Sequence, residues 1–272
     1  PTQSRVASRL IELLDHVDGF ILDGYGVINV GDGPIDGIRT FLETANVQSK
    51  PVVVLTNGAS YSSVVTWQRY QGWSLPISQQ QIVSSRDVLE EQLEKIAAGC
   101  SGMRFGCLGK TIEPLGYGVG PVYGRDEDFW DTTDVFLFLG ALDWDEADQL
   151  ALEKAMLLRP RPLHVANPDV SAPQANERFS AEPGYWTARL IQRLAENGFD
   201  IDVSWYGKPH GLAFDMAQDR IAEIAGRRID AGRLAMVGDS LHTDVLGAAV
   251  AGLQTVLVTG YGLFRGAEIG PY

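Results

Sequence analysis

Four short apolar runs have no polar residue inside them, and they restrict what this chain can fold into. They open GFILD (19–23), PVVVLTN (51–57), LAMVGD (234–239) and TVLVTG (255–260). A strand with one wet face alternates apolar and polar residues, whereas an unbroken run is covered on both faces. Segments of helical period lie between the runs, over residues 35–45, 60–70, 85–98, 211–224 and 243–251. That alternation predicts an α/β fold with a doubly wound parallel sheet. A second set of elements interrupts it: MRFGCLG, DVFLFLG, a helix over 146–158, PLHVANPD and a helix over 186–197. The predicted organisation is a core built from residues 1–98 and 204–272, with an inserted α/β domain over 99–203.

Composition narrows the partners. Twenty-two basic against thirty-five acidic side chains leave a net charge of -13, which disfavours nucleic acid and anionic membrane surfaces. Cys100 and Cys107 are too few for a disulfide framework, show no zinc spacing, and suit a reducing compartment. The longest apolar stretch, 135–139, is far short of a membrane span. The N-terminal PTQSRVASRLIELLDHVDG reads as an amphipathic helix with Val6, Leu10, Leu13 and Leu14 on one face, not as a signal peptide, so a cytoplasmic location is expected.

In a doubly wound sheet, ligands bind beyond the carboxyl ends of the strands. Asp23 follows the first run, within FILDGYGVIN. Thr56 and Asn57 follow the second, in LTNGAS. Lys208 follows a further strand, in SWYGKPHG. Asp239, Ser240 and Asp244 follow another, in VGDSLHTD. Each motif alone is compatible with a turn, a helix cap or a loop. Together they bring three carboxylates, a hydroxyl and an ammonium to strand ends. Clustered carboxylates repel unless a cation sits among them, and hard oxygen donors suit Mg²⁺. A cation beside a hydroxyl, a lysine and the N–H groups of a glycine turn makes a phosphoryl pocket. Helices opening near Ser60 and Thr243 would point their positive ends toward it. An aspartate placed there can attack phosphorus and form an aspartyl-phosphate.

In this order the motifs resemble those of the haloacid dehalogenase (HAD) superfamily of aspartate-nucleophile hydrolases. LDGYGV matches its first motif, LTN its second, GKP its third and GDSLHTD its fourth. The insertion between the second and third motifs is similar to the large α/β (C2-type) cap of class IIA members, which include p-nitrophenyl phosphatase-like and pyridoxal-phosphate phosphatase-like enzymes. QIVSS, ANPD (166–169) and AGLQTVLVTGYG add local resemblance. The resemblance implies a Rossmann-like core, Mg²⁺, and a small phosphorylated metabolite as substrate. It implies Asp23 as nucleophile and metal ligand, with the backbone carbonyl of Tyr25 as a further ligand. Thr56 and the backbone around Asn57 and Gly58 would hold phosphoryl oxygens, and Lys208 would bridge nucleophile and phosphate. Asp239 would bind the metal directly, and Asp244 directly or through water. Relatives of this class often dimerise through the cap.

The sequence departs from the family pattern at one position. Phosphatases of the superfamily carry D-x-D in the first motif, the second Asp serving as general acid and base. Here Tyr25 stands in its place, and a phenol, with an ordinary pKa of about 10, is a poor base near neutrality. Three readings follow: a Mg²⁺-dependent phosphatase that is weakened or restricted to good leaving groups, a catalytically impaired phosphate- or metabolite-binding protein, and a 2-haloacid dehalogenase. The paired acids Asp239 and Asp244, together with the large cap, favour the first over the last. His164, His210 and His242 read as surface or helix-start residues. Asp169 is a candidate for substrate contact from the cap. Trp130, Trp144 and Trp186 read as cap core.

Overall fold

The computed structural model describes residues 4–99, 102–109, 115, 122–173 and 179–266. Cys100 lies outside them. The chain divides into two compact units, one of Pro1–Thr56, Val65–Val83 and Phe214–Tyr272, the other of Asn57–Val64 and Ser84–Ala213.

A five-stranded sheet organises the first unit, in the order Gln254–Leu257, Leu234–Gly238, Gly19–Leu22, Val52–Thr56, Ile82–Ser84. Gly19–Leu22 is central. It pairs in parallel with Leu234–Gly238 on one side, with Leu22 opposite Val237, and with Val52–Thr56 on the other, with Phe20 opposite Val52. Phe20, Ile21, Leu22, Val53, Val54 and Leu55 are all sealed from solvent, as the unbroken runs require. The chain winds outward to one edge, leaves for the second unit, and returns to wind toward the other edge. The order therefore reverses between Gly19–Leu22 and Leu234–Gly238, and such a reversal opens a crevice at the carboxyl ends of the two strands. Their amino ends are fastened by Arg233, whose guanidinium donates to both carboxylate oxygens of Asp18 at 2.9 and 3.0 Å. That pairing lowers the Asp18 carboxyl to about 2.

The second unit holds a four-stranded sheet, Val203–Trp205, Leu163–Val165, Val135–Phe138 and Phe105–Leu108, with all neighbours parallel. Its core includes Phe136, Phe138, Trp144, Trp186 and Leu190, with Trp130 packed against it. The three tryptophans are thus core, as the sequence suggests. The helix Glu146–Leu158 is fixed by a capping box in which the Asp145 carboxylate accepts from the Ala147 and Asp148 N–H groups, satisfying donors that the first turn leaves open.

Several expectations need correction. The strand leading to Lys208, Val203–Trp205, pairs with Leu163–Val165 and so belongs to the four-stranded sheet. A three-residue apolar strand carries too little pattern to show which sheet it joins. The N-terminal amphipathic helix reduces to one 3-10 turn, Leu10–Leu13, with Leu14 buried and Val6 fully exposed; so short a segment is marginal as a helix without packing. The helix expected from residue 60 starts at Ser63. The helix expected from 35 starts at Ile38, after Gly37 in the left-handed region (φ 86°). The helix expected from 186 begins at Pro183, whose fixed φ favours the first turn. The segment expected as a helix from 243 is a π-helical turn, Leu241–Val245, followed by the short helix Leu246–Val250. His164 is buried on its strand rather than exposed, and bonds the Tyr206 hydroxyl.

Candidate active site

The first unit gathers three acids. Asp23 begins where the central strand ends, its N–H donating to the Val237 carbonyl at 2.8 Å. Asp239 follows the neighbouring strand directly. Adjacent parallel strands, paired with Leu22 opposite Val237, thus bring two carboxylates one position out of step to the reversal point. Asp244 joins them through the π turn. The Val245 N–H bonds the Ser240 carbonyl, five residues back, at 3.1 Å. The wider turn rolls Asp244 inward, where it is fully buried and accepts from the Ser240 N–H at 3.1 Å. π turns of this kind recur where a helix must present a functional side chain. Oxygens of Asp23, Asp239 and Asp244 lie within 4.8 Å of one another.

Glycines make that approach possible. An ideal Cβ on Gly26 (φ +80°) would lie 2.4 Å from Asp239 Oδ2, one on Gly262 (φ +68°) 1.8 Å from the same atom, and one on Gly238 2.2 Å from Asp244 Oδ2. The Leu263 N–H donates to Asp239 Oδ2 at 2.9 Å. Reading strand ends misses Gly262 and Leu263, because they act from a loop more than twenty residues downstream; the only trace in the sequence is the glycine-containing GYG. Gly262→Ala is expected to destabilise the protein by about 1–3 kcal/mol, through left-handed strain and collision with Asp239. Denaturant unfolding of the variant beside the wild type measures this.

Thr56 stands next to the same turn: a Cβ on Gly24 would lie 3.5 Å from Thr56 Oγ1. Tyr25 is half-buried and bridges to Asn29. Two like charges about 5 Å apart at an effective dielectric near 20 repel by roughly 3 kcal/mol, so a trio of carboxylates has a strong electrostatic incentive to take up a cation. Three hard oxygen donors, with room in the coordination sphere for waters, match Mg²⁺ in chemistry.

The second unit brings together the remaining candidates. The Asn57 side chain reaches Lys208 and Asp169: its Nδ2 donates to Asp169 Oδ1 at 2.9 Å and to the Lys208 carbonyl at 3.0 Å, while its Oδ1 accepts from the Lys208 N–H at 2.7 Å. Asn57 and Lys208 are both buried, and Gly58 is exposed. The Asp169 N–H is held by Asn167 Oδ1 at 3.0 Å, and Asn167 also donates to Glu182 at 3.2 Å. Burial raises the Glu182 carboxyl, with the Asp169 charge adding to the rise and the Ser180 hydroxyl opposing it. Asn167 lies in the ANPD segment, where only Asp169 is singled out by sequence, and Glu182 carries no recognisable spacing. His210 stacks flat on Trp205 at 5.7 Å, directly before the helix Gly211–Ala225, and burial lowers its pKa.

Two family models match the chain. Residues 20–112 match the haloacid dehalogenase-like hydrolase model, and residues 205–270 match a HAD-hydrolase-like model. The acid trio takes one member from the first segment and two from the second. The chain belongs to the haloacid dehalogenase-like hydrolases. Among curated relatives, this hydrolase is 22% identical to an acid sugar phosphatase of Staphylococcus aureus over 240 residues, covering 88% of this chain and 85% of the relative. Two solved structures share its fold. A haloacid dehalogenase-like family hydrolase from Brucella suis 1330 superposes with a TM-score of 0.75 at 21% identity, covering 96% of this chain and 91% of that one. A 4-nitrophenylphosphatase from Thermotoga maritima gives 0.68 at 24% identity, covering 90% and 87%. Among the described residues, no helix is long and apolar enough to cross a membrane.

Proposed function

We propose that this HAD-family hydrolase cleaves phosphate monoesters of small metabolites through an aspartyl-phosphate on Asp23. The observation that carries the reading is the convergence of Asp23, Asp239 and Asp244 at two adjacent strand ends. Asp23 is the member of the trio at the tip of the central strand, with a hydroxyl-bearing Thr56 beside its turn. In the proposed reaction an Asp23 carboxylate oxygen forms a bond to phosphorus as the ester P–O bond breaks, and the leaving alkoxide takes a proton from solvent water, which the hydrolytic step returns. Water then attacks phosphorus, the acyl-phosphate bond breaks, and orthophosphate leaves with the Asp23 carboxylate restored. Thr56 Oγ1 and the N–H groups of Asn57 and Gly58 orient the phosphoryl oxygens. Lys208 offsets their charge by its position in the third motif. Asp23, Asp239, Asp244 and the Tyr25 carbonyl would hold Mg²⁺, which when bound supplies electrostatic stabilisation of the transferring group. The acid sugar phosphatase and 4-nitrophenylphosphatase relatives support a phosphorylated substrate.

Tyr25 favours a second reading, a protein that binds a phosphorylated metabolite and turns it over slowly. A single assay separates the two. Phosphate release from p-nitrophenyl phosphate and acetyl phosphate, whose leaving groups need little protonation, is expected with Mg²⁺ and is expected to vanish with a chelator. No release from either compound, with Mg²⁺ still bound, would shift the weight to the binding role.

A further inference from the structure

We propose that the Asn57 side chain is a positioning residue for Lys208, clamping its peptide and tying it to Asp169, and that it does not itself hold phosphate. The proposal rests on the reading above that Lys208 serves phosphoryl transfer. A primary amide offers two N–H donors and one carbonyl oxygen. Both Asn57 donors face protein acceptors, the Asp169 carboxylate and the Lys208 carbonyl, and its oxygen takes the Lys208 N–H. The amide can be oriented in only one way, because a peptide N–H must meet oxygen and a peptide C=O must meet nitrogen. Nothing remains on the side chain to donate to a phosphoryl oxygen; of Asn57, only the backbone N–H can do so.

The surroundings are shaped for this clamp. A Cβ on Gly207 would lie 2.5 Å from Asn57 Oδ1 and 2.4 Å from Pro168 Cδ, so only glycine lets the Lys208 peptide come so close. On the other side, the fully buried Ser85 donates its hydroxyl to the Asn57 carbonyl at 2.8 Å. Asn57 is therefore held through its backbone by one helix start and holds Lys208 through its side chain. The bond to Asp169 extends the same amide to the ANPD segment. The lysine peptide and the cap acid share one donor group, so displacing either disturbs the other.

The test uses the full chain with Asn57→Ala, Lys208→Ala and the double variant, and two readouts. The first is acetylation of Lys208 by acetic anhydride, followed by peptide mass spectrometry, with exposed Lys95 and Lys154 as internal references. Lys208 is only 2% exposed. Asn57→Ala should speed its labelling about tenfold or more while the references stay unchanged, as expected when a local clamp opens and the rest stays folded. The second is turnover of p-nitrophenyl phosphate with Mg²⁺. Asn57→Ala should lower kcat by roughly 10²-fold, the scale of a small misplacement of a catalytic group, with KM changed less. The double variant should lose no more than Lys208→Ala alone, because the two act as a unit. Unchanged Lys208 labelling, or losses that add, would overturn the proposal. A wild type without turnover would remove the phosphatase reading, yet labelling would still decide the clamp. Should alanine raise labelling at the reference lysines as well, the isosteric Asn57→Asp gives the same readout: it keeps an acceptor for the Lys208 N–H and loses both donors.

Discussion

Asp23→Asn is expected to abolish phosphate release from every monoester tested, by on the order of 10⁴-fold or more. The carboxamide is isosteric, and its oxygen can still accept from the Gly24 N–H, which bonds Asp23 Oδ1 at 2.7 Å. The local turn should therefore persist, and the loss should be chemical. A neutral amide is a far weaker nucleophile toward phosphorus than a carboxylate. Circular dichroism should match the wild type. Brief incubation with acetyl phosphate followed by acid quench should label the wild-type peptide containing residues 20–29 and leave the Asn variant unlabelled. Residual turnover above one part in a hundred would move the nucleophile elsewhere and overturn the assignment.

Tyr25→Asp is expected to raise turnover, with the size of the gain set by the leaving group. For alkyl phosphates, whose alkoxides need a proton as they depart, the gain should approach the 10²–10⁴-fold typical of a positioned general acid–base group. For acetyl phosphate it should be much smaller in the first step. The measurement is kcat/KM over a series of esters of graded leaving-group acidity. The wild type should show a steep dependence and Tyr25→Asp a shallow one. Parallel dependences would mean that another group already protonates the leaving oxygen, and that Tyr25 has a different task.

Much of this was legible from periodicity. Unbroken runs such as Phe20–Leu22 declare burial on both faces, and a buried parallel strand points to its own carboxyl end as the place for polar chemistry. Asp23, Asp239 and Asp244 were visible for that reason. Contacts between distant segments were not. The side-chain role of Asn57 depends on a peptide 151 positions away, and the floor beneath Asp239 is built from Gly26 and Gly262, one near each end of the chain. The strand Val203–Trp205 joined a different sheet from the expected one because three residues do not encode a partner. The π turn over Leu241–Val245 is indistinguishable from ordinary helix in the sequence, since the spacing of apolar residues does not separate five-residue from four-residue backbone pairing over one turn.

The pairing of the central strand has a consequence for how the protein is made. Asp18 and Arg233, which fasten the amino ends of the Gly19–Leu22 and Leu234–Gly238 strands, are 215 positions apart. One neighbour of the Gly19–Leu22 strand is thus translated 215 positions after it. Contacts of such long sequence separation form late, whereas the four strands of the inserted unit are all translated before that neighbour appears. Until it arrives, one edge of that apolar strand has no permanent partner, and such an edge invites association with other chains. The acid trio cannot exist in a nascent chain that stops short of Asp244. Its chemistry therefore waits for the Leu234–Gly238 strand and the turn after it, and losing them would remove the site and unprotect the middle of the sheet together.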